Sequence, residues 1–215
     1  MVKSSCFKNF VKYASLNALG MLGLSCYILA DTFFVANGLG ANGLTALNLA
    51  VPVYSFIHGS GLMIGMGGGI KYAVQKNRQD LKATDRVFTN AVCLAAVFSA
   101  FLVWAGVFMS GSIVTCLGAD EEIFSMTQTY IRVILLFAPA FLMNNVLLCF
   151  VRNDGAPRLA MAAMVGGSLS NVILDYLFVF PLKMGMFGAA FATGLAPVVS
   201  IDVYKRQAYE PAGLG

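Results

Sequence analysis

Residues 159–181 read LAMAAMVGGSLSNVILDYLFVFP, an apolar run broken by a single charge, Asp175. A helix rises 1.5 Å per residue, so about 20 such residues cross the roughly 30 Å of hydrocarbon in a bilayer. A carboxylate inside such a run costs from ~3 to more than ~10 kcal/mol, and it normally faces a bundle interior or water and serves an ion or proton pathway. The pattern occurs once more. Residues 13–36, YASLNALGMLGLSCYILADTFFVA, carry one charge, Asp31.

The remaining apolar runs are 44–70, 87–109, 124–150 and 186–201. With 59% hydrophobic and 11% charged residues and a mean hydropathy of +0.78, the chain is far from a soluble composition. It is expected to be an all-α integral membrane protein, a bundle of six transmembrane helices in a cell membrane, plasma or inner. Basic residues set the orientation. Lys3, Lys8 and Lys12 precede the first span, Lys71, Lys76, Arg78, Lys82 and Arg86 fill the second connection, and Arg152 and Arg158 lie in the fourth. The intervening connections hold no charge, then Asp120, Glu121 and Glu122, then Lys183. Both termini are therefore expected in the cytoplasm. The same distribution explains the net charge of +4 and excludes a nucleic-acid partner, because the basic residues sit beside spans rather than on one soluble face. The lipid bilayer is the surrounding partner.

Other chemistries find little support. Cys6, Cys26, Cys93, Cys116 and Cys149 show no CxxC spacing, so neither a disulfide frame nor a metal cluster is expected. His58 has no ligand partner at helical spacing and reads as a hydrogen-bonded packing residue. The GMGGG stretch at 65–69 lacks the GKS or GKT ending of a phosphate loop and reads as a softened end of span two. The Gly38, Gly40 and Gly43 cluster reads as an outer loop between spans one and two. No catalytic residue, enzyme activity or cofactor is expected.

Depth brings the two acids together. Spans one and five both run outward, with Asp31 about 8 Å and Asp175 about 9 Å before their outer ends. Asn171 lies four residues before Asp175, on the same helical face. Thr193 is at a similar depth in span six. Pro197, four residues later, has no N–H for the Thr193 carbonyl, which leaves a hydroxyl and a carbonyl offered together. Asp31, Asn171, Asp175 and Thr193 are hard oxygen donors suited to Na⁺ or to a proton-holding carboxylate network. A short repeat links the same elements: DTFFV at Asp31 with Pro52 beyond it, and DYLFV at Asp175 with Pro197 beyond it. In it Asn48 takes the place of Thr193, making Asn48 a secondary candidate beside Tyr176 and Pro197. The aromatic residues Tyr27, Phe33, Phe34, Tyr54, Phe137, Phe141 and Tyr176 either line a cavity or pack.

The stretches ADTFFVANGLGANGLTALNLAVPVY (30–54), VRNDGAPRLAM (151–161) and NVILDYLF (171–178) resemble the multidrug and toxic compound extrusion (MATE) family. The resemblance implies the amino-terminal six-helix lobe of a twelve-helix antiporter that expels cationic or amphipathic drugs in exchange for H⁺ or Na⁺, with the carboxy-terminal lobe as its partner. In the DinF-like branch, it also implies a cation site at Asp31, Asn171, Asp175 and Thr193. Many relatives carry a proline early in helix one, whereas YASLNALGML (13–22) has none. Two other functions are weighed: a lipid or cell-wall precursor flippase of the same superfamily, which would favour a more cationic cavity, and a membrane-embedded enzyme, which would need a denser cluster of acids or a His and metal set. The lobe is expected to occupy residues 1–201. From 202 the chain reads DVYKRQAYEPAGLG, whose first six residues look like a translated transposase adapter from sequencing libraries, so 202–215 are expected to be a non-native tail on a truncated chain.

Overall fold

A computed structural model of the chain describes residues 2–209, with side chains at Val11 and from Ala14 to Lys205. The described residues form seven helices and no strand: α1 (Val2–Asn77), α2 (Leu81–Phe108), α3 (Ser110–Cys116), α4 (Glu121–Leu136), α5 (Ala138–Asn153), α6 (Pro157–Val179) and α7 (Gly185–Tyr209). At 1.5 Å per residue α1 would be roughly 110 Å long if straight, several times the hydrocarbon thickness. It is not straight. Gly40 adopts φ 72° and ψ −163°, a conformation that a side chain disfavours, and the helix breaks there. The Tyr27 and Tyr54 hydroxyls, 27 residues apart in sequence, lie 2.8 Å from each other, so the limbs on either side of Gly40 run back along one another.

The outer loop expected around Gly38, Gly40 and Gly43 is therefore a one-residue break between two helical limbs. A second difference concerns the run 124–150, which is two helices, α4 and α5, bent by 51° about Phe137. Pro139 lies in the first turn of α5 and cannot donate to the Leu135 carbonyl, which ends α4 and permits the bend. Four helices among the described residues, α1, α2, α6 and α7, are long and apolar enough to cross a membrane, and the bent pair makes a fifth. α3 is a short turn of helix inside the connection between α2 and α4. α7 passes position 202 without interruption and is described as far as Tyr209, while residues 210–215 of the expected tail lie outside the described residues.

Local signals account for several helix ends. The Asp80 carboxylate accepts from the Ala83 N–H at 3.0 Å and caps α2. Glu121 and Glu122 occupy the first turn of α4, where negative charge suits the helix dipole. Pro157 opens α6, where a missing N–H costs nothing. At one end of the bundle, Asn42 donates to Glu122 Oε1 at 2.7 Å, joining the Gly40 break to α4. At the other end, Asp154 Oδ1 accepts from Tyr72 at 2.9 Å and from Lys76 at 2.5 Å, joining the end of α1 to the α5–α6 connection. These are called below the acidic and basic ends.

Packing explains Gly65 and Gly69 differently from the softened segment expected at 65–69, and Gly61 joins them. They recur every four residues and face α5. A β-carbon at Gly65 would lie 2.9 Å from the Asn145 carbonyl oxygen and 3.0 Å from Cys149 Sγ, and one at Gly61 would lie 3.0 Å from the Asn145 side chain. This ridge lets the second limb of α1 approach α5 closely, the small-residue packing by which helices associate in lipid. The core around it holds Val35, Ile57, Ile131, Ile134, Leu142 and Val146, all fully buried.

Candidate cation site

Five elements converge in the part of the bundle nearer the Gly40 break, with Asp175 four residues from the end of α6 and Thr193 eight from the start of α7. Asp31 comes from the first limb of α1, Asn48 from the second, Tyr130 from α4, Asn171 and Asp175 from α6, and Thr193 from α7. Because the first limb continues to Gly40, Asp31 lies nine residues, roughly 14 Å, from its end, deeper than the expected 8 Å. Asp31, Asn171, Asp175 and Thr193 are all buried, Asn171 and Asp175 completely so.

Asn171 ties the group together. With its amide oriented so that both ends find partners, its Nδ2 donates to Asp175 Oδ2 at 3.0 Å and its Oδ1 accepts from the Thr193 N–H at 3.2 Å. The other faces of the site are left open. Asp31 Oδ1, Asp175 Oδ1 and Thr193 Oγ1 are buried and have no hydrogen-bond partner. Leaving a buried polar atom unpaired costs about 1–3 kcal/mol, and more for a charge. Three such oxygens from three helices suit a bound cation or a shared proton. Asp175 lies within reach of the Asp31 charge, and two carboxylates that share a buried site repel when both are ionised, a cost that a cation between them relieves.

A cavity of about 260 Å³ adjoins the site and is lined by Asp31, Asn48, Tyr54, Tyr130 and Thr193 among others, with no Lys or Arg among the described residues of its wall. Asn48 and Thr193, equated by the sequence repeat, both face it. Pro197 lies inside α7 and lines a second cavity, whose wall also includes Thr193. Tyr176, next to Asp175 in sequence, points elsewhere: one residue along a helix turns about 100°, and its ring packs with Phe34 and Phe180 on an exposed face. Phe33 is likewise exposed, and Phe137 packs on Phe191. Of the aromatic candidates, Tyr27, Tyr54 and Phe141 line a cavity.

Two participants had no distinguishing signal in the sequence. Tyr130 is buried beside Asp31 and Thr193. Asn145 is buried in α5, and its Nδ2 donates to His58 Nδ1 at 3.1 Å and to the His58 carbonyl at 3.2 Å. His58 is thus the hydrogen-bonded residue expected. Its Nδ1 accepts, which puts the ring proton on Nε2.

The family model MatE matches residues 17–177. The chain belongs to the MatE family. It is similar to the multidrug export protein MepA of Staphylococcus saprophyticus, with 26% identity over 198 residues, covering 92% of this chain and 44% of the relative. Among solved structures it resembles a MOP superfamily transporter from Pyrococcus furiosus, with a TM-score of 0.85 and 29% identity over 93% of this chain and 44% of that one. It also resembles a MATE in complex with MaD3S, with a TM-score of 0.85 and 30% identity over 93% of this chain and 45% of that one. This MatE chain is thus a multi-pass membrane protein that spans a little under half the length of the relatives it matches. The expected family and all-helical membrane fold hold.

Proposed function

We propose that the chain is the amino-terminal, cation-coupled lobe of a secondary-active multidrug efflux antiporter that expels cationic or amphipathic compounds in exchange for H⁺ or Na⁺. The observation that carries this reading is the set of three unpartnered buried oxygens, on Asp31, Asp175 and Thr193, held in register by Asn171. The cation is a substrate of the exchange and needs only oxygen ligands, which the site offers. In this reading each limb of α1 crosses once, which with α2, the bent pair, α6 and α7 makes six crossings, and the Lys and Arg distribution supports a basic end that faces the cytoplasm. The carboxy-terminal lobe then completes the drug cavity. A flippase for phosphate-bearing lipid is less well served, because the described residues of the wall around Asp31 carry no positive charge.

The mechanism is mutual exclusion. A proton or Na⁺ neutralises the facing carboxylates and stabilises one arrangement of the bundle, and a cationic drug stabilises the other. Each ligand then weakens the other by the same factor, which is the coupling antiport requires. The test is accumulation of a fluorescent organic cation in inverted vesicles holding the full-length transporter. Imposing a proton or a sodium gradient is expected to drive accumulation, and collapsing it to release the dye. Accumulation indifferent to both gradients contradicts the proposal.

A further inference from the structure

The second cavity, about 90 Å³, shares Tyr27, Tyr54 and Thr193 with the larger one. It extends toward the basic end. Along α5 it is lined from Phe141 through Asn145 and Leu148 to Arg152, eleven residues or roughly 16 Å of helix. Along the second limb of α1 it follows Tyr54, His58 and Leu62. Polar groups mark its length: His58, Asn145 and Asn144, whose Oδ1 is buried without a partner, then Ser200 and Arg152, which stand seven residues beyond Thr193 and Asn145 on their helices. Such groups, at intervals along a cavity, offer water and small cations successive partners.

Among the described residues, Arg152 is the one charged residue in that wall. Its Nη2 donates to Met164 Sδ at 2.9 Å, and its Nε is buried with no acceptor. The nearest acid in sequence, Asp154, is engaged by Lys76 and Tyr72 instead. The Arg152 guanidinium puts a positive charge where the path approaches the basic end. A like charge in a poorly hydrated path raises the barrier to a passing cation.

Resting on the cation-site reading above, we propose that this inner cavity is a route between the Asp31 and Asp175 site and the cytoplasmic side, and that Arg152 is its electrostatic stopper. Arg152 prevents the coupling cation from slipping through the lobe without drug exchange. It touches neither drug nor the coordinating oxygens.

The test uses the full-length transporter in drug-free proteoliposomes, with passive ²²Na⁺ flux and proton flux read separately. Arg152→Met, which keeps an apolar stem, is expected to raise the passive flux of the coupling cation several-fold, while Arg152→Lys stays near the parent. Adding Asp31→Asn to Arg152→Met is expected to return the flux to the parent value, because the leak runs through the site. A monodisperse Arg152→Met protein with parental flux of both cations overturns the proposal, as does a leak that persists undiminished in the double variant. Should Arg152→Met fail to fold, Arg152→Gln carries the same expectation. Failure of the cation-site reading shows separately: Asp31→Asn alone would then leave gradient-driven efflux intact.

Discussion

Asp175→Asn is expected to abolish gradient-driven efflux while leaving the transporter folded. Asp175 is completely buried and holds one hydrogen bond, from Asn171 Nδ2 to its Oδ2. An asparagine presents a carbonyl oxygen to the same donor, so the link from α6 through Asn171 to the Thr193 N–H survives. What disappears is the charge. The substituted site cannot take up a proton at position 175, and its attraction for Na⁺ falls to that of Asp31 alone. Two carboxylates sharing a buried site repel when both are ionised, so removing one also relieves a strain on folding. Thermal stability in detergent is therefore expected to match or exceed that of the parent, and the vesicle assay is expected to read the background of empty vesicles. Retained gradient-driven efflux in this variant would refute the role of Asp175.

Gly65→Leu is expected to have the largest effect on stability. A methyl group alone already meets the Asn145 carbonyl oxygen at 2.9 Å and Cys149 Sγ at 3.0 Å, and the carbonyl belongs to backbone that cannot swing away. Overpacking of this kind costs about 1–3 kcal/mol or more. For Gly65→Ala that loss is partly offset by about 1 kcal/mol of helix propensity, so alanine is a poor test. Leucine adds three further carbons to the same gap, so the second limb of α1 must separate from α5. Set against a typical net stability of about 5–15 kcal/mol, the variant is expected to express poorly or to melt well below the parent. Gly67→Leu is the control. A β-carbon there meets nothing within 4 Å, and the residue is exposed. Equal behaviour of the two variants in a thermal-shift measurement would refute the ridge.

The sequence displayed the class of fold because solvent selects so strongly: no water is available to satisfy backbone groups in hydrocarbon, so long apolar runs must be helices. It also displayed the four oxygen donors, since a lone acid in such a run stands out and helical periodicity places Asn171 below Asp175. The joints between helices were harder to see. Around Gly40 three glycines within six residues resemble a loop, yet one positive φ suffices to turn the chain, and the helix resumes at once. The break at Phe137 follows from Pro139, but a proline inside a membrane helix is compatible with both a continuous and a bent span. Tyr130 and Asn145 were invisible for a different reason. Their roles come from helices α4 and α5 meeting partners more than 60 residues distant in sequence, and nothing in their local spacing distinguishes them from packing residues.

The glycines at 61, 65 and 69 show the same limit. Glycine serves both flexibility and close approach, and only the neighbouring helix decides which. Tyr176 is the converse case, adjacent in sequence to the most buried acid of the chain and yet turned by the helix onto an outer aromatic face.

The most direct measurement is cation release on drug binding by the purified full-length transporter in weakly buffered detergent solution. Proton release is followed with a pH dye and sodium release with an ion-selective electrode. Addition of a cationic drug is expected to release one of the two in proportion to protein, with no release from Asp31→Asn or Asp175→Asn. Drug binding that proceeds with no release, at an affinity independent of pH and sodium, would contradict the account of Asp31, Asn171, Asp175 and Thr193 as a site that cation and drug occupy in turn.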